Sequence, residues 1–247
     1  STVGVSYLPS TSTVSSHVNP ALPGTTASSS SLSATASVNA SNSYSLTPTA
    51  DAQVESGSPS YNGGSSKNLF VASSSTGSYG NERTWLKFDL SSLPAGSSIT
   101  NASLQLWCWS ATGASLATEV HGCTDDSWTE SGITWSTQPS FASSALDSQT
   151  LAAGTKNLWY SWDVTAFAQG QLSGDKTVSL LVKAATESST DATAPSYGFD
   201  AREYGSNSPV LQVTLASSGP VPTVASVQYF YRYSTENHKF TLGLQST

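Results

Sequence analysis

The sequence predicts an all-β protein: an antiparallel jelly-roll-type β-sandwich, preceded by an extended Ser/Thr-rich segment and followed by a short β-hairpin. Three observations carry this reading. From about Tyr44 to Leu215, apolar and polar residues alternate in short runs. Turn-forming clusters cut those runs, among them Asn62-Gly63-Gly64, Leu93-Pro94-Ala95-Gly96 and Ser173-Gly174-Asp175. No long helical pattern is present; residues 165–171 suffice for a single short helical turn. Many short strands with such spacing indicate an antiparallel sandwich or jelly roll. The organisation expected is therefore an extended segment over 1–43, a sandwich over 44–217, and a linker with a hairpin over 218–247.

The first segment carries no Asp, Glu, Lys or Arg before Asp51, and the first basic residue is Lys67. Nearly half of residues 1–50 are Ser or Thr, with Pro9, Pro20, Pro23 and Pro48 among them. Such a composition buries too little apolar surface to offset chain entropy, so it reads as a disordered or glycosylated stalk. To be ordered it needs a partner surface, and residues 33–40 (SATASVNA) have the small residues of a strand that adds to a sheet edge. In the sandwich, residues 100–109 (TNASLQLWCW) place Ala102, Leu104, Leu106 and Cys108 on one face. Ser103, Gln105, Trp107 and Trp109 lie on the other. Residues 177–183 (TVSLLVK) and 209–215 (PVLQVTL) repeat the theme. After a Ser-Ser-Gly-Pro-Val-Pro linker, residues 229–233 (YFYRY) and 238–242 form two strands around a turn at 234–237. Two strands are not stable alone, so this hairpin pairs with something or opens a module that the chain does not complete.

The protein has 247 residues, of which only 10% are charged, with a net charge of −7. The acidic balance argues against a nucleic-acid partner. No apolar run reaches about 18 residues, so no membrane-spanning helix is expected. With no initiator Met at Ser1, any signal peptide would already have been removed. A surface built from Ser, Thr, Asn and Gly suits a secreted or cell-surface chain.

A set of motifs in consistent order spans roughly 170 residues of the middle region. It starts with Ala50-Asp51-Ala52-Gln53-Val54 and Tyr61-Asn62-Gly63-Gly64, then Leu86-Lys87-Phe88-Asp89-Leu90-Ser91-Ser92-Leu93-Pro94-Ala95-Gly96. Ile99-Thr100-Asn101-Ala102-Ser103-Leu104, Trp128-Thr129-Glu130, Ile133-Thr134-Trp135 and Trp162-Asp163-Val164-Thr165 follow. Arg202-Glu203 and Pro209-Val210-Leu211-Gln212-Val213 close it. This region resembles the DNRLRE family of extracellular domains, whose members include carbohydrate-binding module family 96. The resemblance implies a jelly-roll sandwich that binds or displays rather than catalyses.

Several residues carry a functional reading beside a structural one. Asp89 and the Trp162-Asp163-Val164-Thr165 stretch have the chemistry of capped corners, with carboxylates accepting backbone N–H bonds. Asp125, Asp126 and Glu130 are a possible Ca²⁺ site, or else a solvated loop whose Trp128 and Trp135 plug the end of the sandwich. Trp107 and Trp109, about 7 Å apart on the outward face, make a flat ledge for a sugar ring, with Gln105 to bond its hydroxyls. The other reading has that ledge covered by the leader or a loop. Lys67, Arg83, Lys87 and Arg202 are too scattered for a uronate cleft, and Arg202 has Glu203 beside it, so a neutral glycan fits better. Cys108 and Cys123 suggest a disulfide worth about 3 kcal/mol, or two buried free thiols. Asn39 and Asn101 begin N-x-S sequences for N-glycosylation. No nucleophile–base set, zinc motif or phosphate loop is visible, although Glu119 with Glu130 has the composition of a glycosidase pair.

Two functions follow. The first is a non-catalytic extracellular structural or adhesive protein, glycosylated and self-assembling with other copies or neighbouring surface domains through its terminal segments, as a filament or matrix. The alternative is a carbohydrate-binding module attached to a secreted polysaccharide-degrading enzyme.

Overall fold

The computed structural model describes residues 42–75, 78–188, 190 and 194–216, together with the backbone of 227–234 and 239–246. Most of the Ser/Thr-rich segment, Asn39 included, lies outside the described residues, as does the linker. Residues 42–217 form one compact unit. Its elements in chain order are β1 (Ser43–Leu46), β2 (Ala50–Glu55), β3 (Asn68–Ala72), β4 (Glu82–Asp89), β5 (Ile99–Thr112) and β6 (Leu116–Cys123). Then come β7 (Asp147–Leu151), β8 (Leu158–Asp163), α1 (Thr165–Ser173), β9 (Thr177–Ala184), β10 (Ser196–Asp200) and β11 (Val210–Leu215). The helix α1 is longer than the single turn that the sequence suggests. In a separate unit, β12 (Val227–Ser234) and β13 (Lys239–Ser246) pair antiparallel as a hairpin.

All pairings are antiparallel, in the order β1-β11-β5-β10-β3-β4-β9-β6-β7, with β2 added on β4 and β8 on β5. The protein is thus an all-β sandwich made by one curled sheet. Its two halves join at a single paired position, Ala72 with Glu82. Between them lies the main core, to which Leu104, Leu106 and Trp162 contribute from one half and Leu86, Phe88 and Leu180 from the other. All six are fully buried. Trp162 also donates its indole N–H to Thr118 Oγ1 (3.3 Å), so β8 is bonded across the core to β6.

Strand β5 shows why the alternation was informative. Leu104, Leu106 and Cys108 are buried, while Ser103, Gln105, Trp107 and Trp109 point outward and remain half-buried or exposed. Strand β4 behaves differently, because both of its faces are covered. Leu86 and Phe88 enter the main core, whereas Trp85 enters a second core with Ala52, Val54, Leu181 and Cys123. The loop between β6 and β7 roofs this second core with Trp128 and Ile133, and Trp135 and Phe141 pack against it. Arg83 ties the roof down. Its guanidinium sits 4.2 Å from the Trp135 ring centroid and binds both oxygens of Glu187 at 2.7 Å.

The corners follow ordinary turn chemistry. Asp89 accepts from the Ser91 N–H and hydroxyl, each at 2.7 Å. Asp163 accepts from Thr165 N–H (2.8 Å), and Thr165 Oγ1 accepts in turn from Ala102 N–H (2.8 Å). These bonds hold both carboxyls below the usual carboxylate range.

The expected Cys108–Cys123 disulfide does not form; both thiols are free and buried. Strands β5 and β6, although consecutive, are not neighbours. β5 pairs with β8, β10 and β11, and β6 with β7 and β9, so Cys108 faces the main core and Cys123 the second one.

Candidate functional site

The outward face of the β5 half is built by register. Trp107 lies directly opposite Trp159 on β8, and their rings meet edge to face with centroids 5.6 Å apart. On the other side of β5, Trp109 meets Phe70 of β3 edge to face at 5.9 Å, although β10 runs between those strands. Gly198 of β10 makes this possible. A Cβ there would stand 2.9 Å from Phe70 Cε1 and 3.0 Å from Trp109 Cε2, so a side chain would occupy the space in which the rings meet. Trp109 is 36% exposed and Trp159 40%. Gln105, half-buried, lies opposite Ser161 of β8.

The sequence-predicted Trp107, Trp109 and Gln105 therefore lie on one outward face, and the structure adds Trp159 and Phe70. Trp159 had a readable signal. In residues 158–163 (LWYSWD), Trp159 and Ser161 alternate with the buried Tyr160 and Trp162. Phe70 had none, because its NLFVA strand is apolar on both faces.

This face is almost free of charge. Strands β1, β11 and β5 contain no Asp, Glu, Lys or Arg. On β8 the charged residue is Asp163, committed to its corner. Lys156, exposed, stands just before β8. Three of the four cations considered from sequence are engaged elsewhere. Arg83 is bound to Glu187, and Lys87 donates to the carbonyls of Asp126 (2.8 Å) and Trp128 (2.6 Å) beneath the second core. Arg202 donates to Glu203 (3.0 Å), the pair expected from sequence, and also to both oxygens of Glu130 (2.8 and 2.7 Å). Lys67 is exposed.

The acidic residues 125, 126 and 130 do not converge. Asp125 accepts from Ser127 N–H (3.0 Å) and its hydroxyl (2.6 Å), Asp126 takes the Ser179 hydroxyl, and Glu130 holds Arg202. Glu130 instead gathers with Asp51 and Glu203, one oxygen of each lying within 4.8 Å of the others. Arg202 supplies the positive charge of that cluster, and its backbone N–H reaches Asp51 Oδ2 at 2.9 Å. Burial, helped by the charges of Glu203 and Glu130, pushes the Asp51 carboxyl up to about 7. Glu119 and Glu130 have separate partners, for Glu119 takes His121 Nε2 (3.1 Å) while His121 Nδ1 meets the Ala142 carbonyl (2.8 Å).

The profile of carbohydrate-binding module family 96 matches residues 42–215, the whole span of the sandwich. Among curated proteins, the chain is similar to a gellan lyase from Bacillus sp., with 32% identity over 150 residues. That match takes in 60% of this chain but only 6% of the lyase, so the chain spans a small part of the relative's length.

Proposed function

Because the chain belongs to carbohydrate-binding module family 96, we propose that its sandwich is a non-catalytic glycan-binding module attached to a secreted polysaccharide-degrading enzyme. The observation that carries the reading is the outward face, where Trp107 with Trp159 and Trp109 with Phe70 form two edge-to-face pairs on an almost uncharged surface. Sugar rings present C–H faces that stack on indoles while their hydroxyls bond to neighbouring amides and hydroxyls. Gln105 and Ser161 stand in the place for that second role. The family and the lyase relative favour this function over the self-assembling surface material also suggested by the sequence. That other reading rests on terminal segments that lie largely outside the described residues. An extracellular location follows from the same proposal. Asn101, exposed at the start of β5, would carry an N-linked sugar in a host that glycosylates its sequence.

Affinity electrophoresis of the full chain through gels containing single polysaccharides tests the function, with gellan among the first polymers to try. We expect retardation by at least one polymer. Trp107→Ala with Trp109→Ala should abolish it while the far-ultraviolet circular dichroism stays unchanged. Equal mobility in every gel, or retardation indifferent to the double substitution, would overturn the proposal.

A further inference from the structure

Building on the glycan-binding reading, we infer that the site is a strip of four aromatic rings crossing strands β8, β5, β10 and β3, that it takes a neutral, extended polysaccharide chain lying across those strands, and that Gly198 keeps the strip continuous. Adjacent strands lie about 4.8 Å apart, so the three steps from β8 to β3 span about 14 Å, room for more than one sugar ring. The rings sit on β8 (Trp159), β5 (Trp107 and Trp109) and β3 (Phe70), and β10 between them contributes no side chain at the crossing point because Gly198 stands there. Any larger residue would project between Trp109 and Phe70 and part that pair, cutting Phe70 off from the three tryptophans. The ligand axis therefore runs perpendicular to the strands, along the line of rings.

Charge decides the class of chain. A polymer of uronate residues carries a negative charge at each acidic sugar and needs cations spaced along its path. Strands β5 and β3 supply none, β10 carries only the buried Asp200, and β8 offers only the carboxylate of Asp163. Arg83, Lys87 and Arg202 are bound to partners of their own, and Lys67 before β3 and Lys156 before β8 are two separate exposed charges rather than a row along the path. Stacking on rings and bonding to Gln105 and Ser161 asks for hydroxyls and C–H faces, which neutral hexose and pentose chains present.

The test uses the full chain and isothermal titration with hydroxyethylcellulose, xyloglucan and galactomannan as neutral probes, and gellan, alginate and polygalacturonate as anionic ones. Each is measured at low salt and at about 0.5 M salt, where the screening length falls to a few ångströms. We expect binding to at least one neutral polymer, with affinity nearly unchanged by salt. Trp159→Ala and Gly198→Val should each weaken it about tenfold, as for loss of one stacked ring. Gly198→Ala, the milder change, covers the case in which the valine variant fails to fold and should weaken binding less. Lys156→Ala should leave the affinity unchanged. Binding confined to anionic polymers and weakened by salt, whether or not Lys67→Ala or Lys156→Ala abolishes it, would overturn the inference and leave the glycan-binding function standing. So would binding that needs Trp107 and Trp109 but ignores Trp159 and Gly198. If no polymer binds, and sedimentation shows a dimer that Trp159→Ala dissociates, the strip is a contact between copies, and both this inference and the proposed function fall.

Discussion

Glu82 is an acid kept where its charged form is poorly solvated. Burial, with the Glu55 charge directly opposite, pushes its carboxyl up to about 7, and Gln53 Nε2 donates to it at 2.6 Å. In the unfolded chain the same group titrates at its ordinary value of 4.5. The native state therefore holds the proton more tightly, and the stability that this supplies is complete below about pH 4.5 and declines as pH rises through 7. The full change is of order 3 kcal/mol. Urea denaturation from pH 4 to 8 should show this decline, added to that of Asp51, and Glu82→Gln should flatten its share while keeping the Gln53 bond. An unchanged slope in Glu82→Gln would show that the residue titrates normally in the fold. Asp89 and Asp163 act in the opposite sense, because their corner hydrogen bonds favour the charged form.

The loop between β6 and β7 has no regular structure of its own, and single side chains fix it on the sheet. Arg83 joins it through Trp135, Phe141 and Gln138, and joins the chain after β9 through Glu187. Arg83→Ala should destabilise the protein by about 1.5–3 kcal/mol, the range for bonds to charged groups, and hydrogen exchange over residues 132–142 should accelerate first. Arg83→Lys should fail to restore the loss, because a lysine cannot grip both oxygens of Glu187. Trp162→Ala, which empties a fully buried site and removes the bond to Thr118, should cost about 3–5 kcal/mol in chemical denaturation. At this scale the sequence is readable where one face of a strand is wet. β5 and β11 alternate cleanly and are placed correctly by inspection, and the Asp89 and Asp163 corners follow from turn chemistry alone. β4 is covered on both sides, so no alternation separates Trp85 from Leu86, and β3 carries apolar residues on both its faces, so nothing in its sequence marks Phe70 as the outward one. The disulfide expectation failed for a related reason. Sequence adjacency suggests a hairpin, but the chain passes from β5 to β6 without pairing them. Likewise the gathering of Asp51, Glu130 and Glu203 around Arg202 joins parts of the chain as much as 152 positions apart, and no local motif announces it.

For the molecule as a whole, the free thiols give a direct check on the topology. Cys108 and Cys123 are buried, and burial raises both pKa values, that of Cys108 to about 11. Neither should react with a thiol reagent in the native protein, both should react in denaturant, and the melting temperature should be the same with and without reductant. A melting temperature lowered by reductant would restore the disulfide. The division of labour along β5 reaches beyond these measurements. Since Leu104 and Leu106 point one way and Gln105, Trp107 and Trp109 the other, substitutions on the outward row should disturb folding less than those on the buried row. Such a scaffold can be retargeted by exchanging a few exposed positions, which lets descendants of one ancestral body acquire new tastes without first having to relearn how to fold.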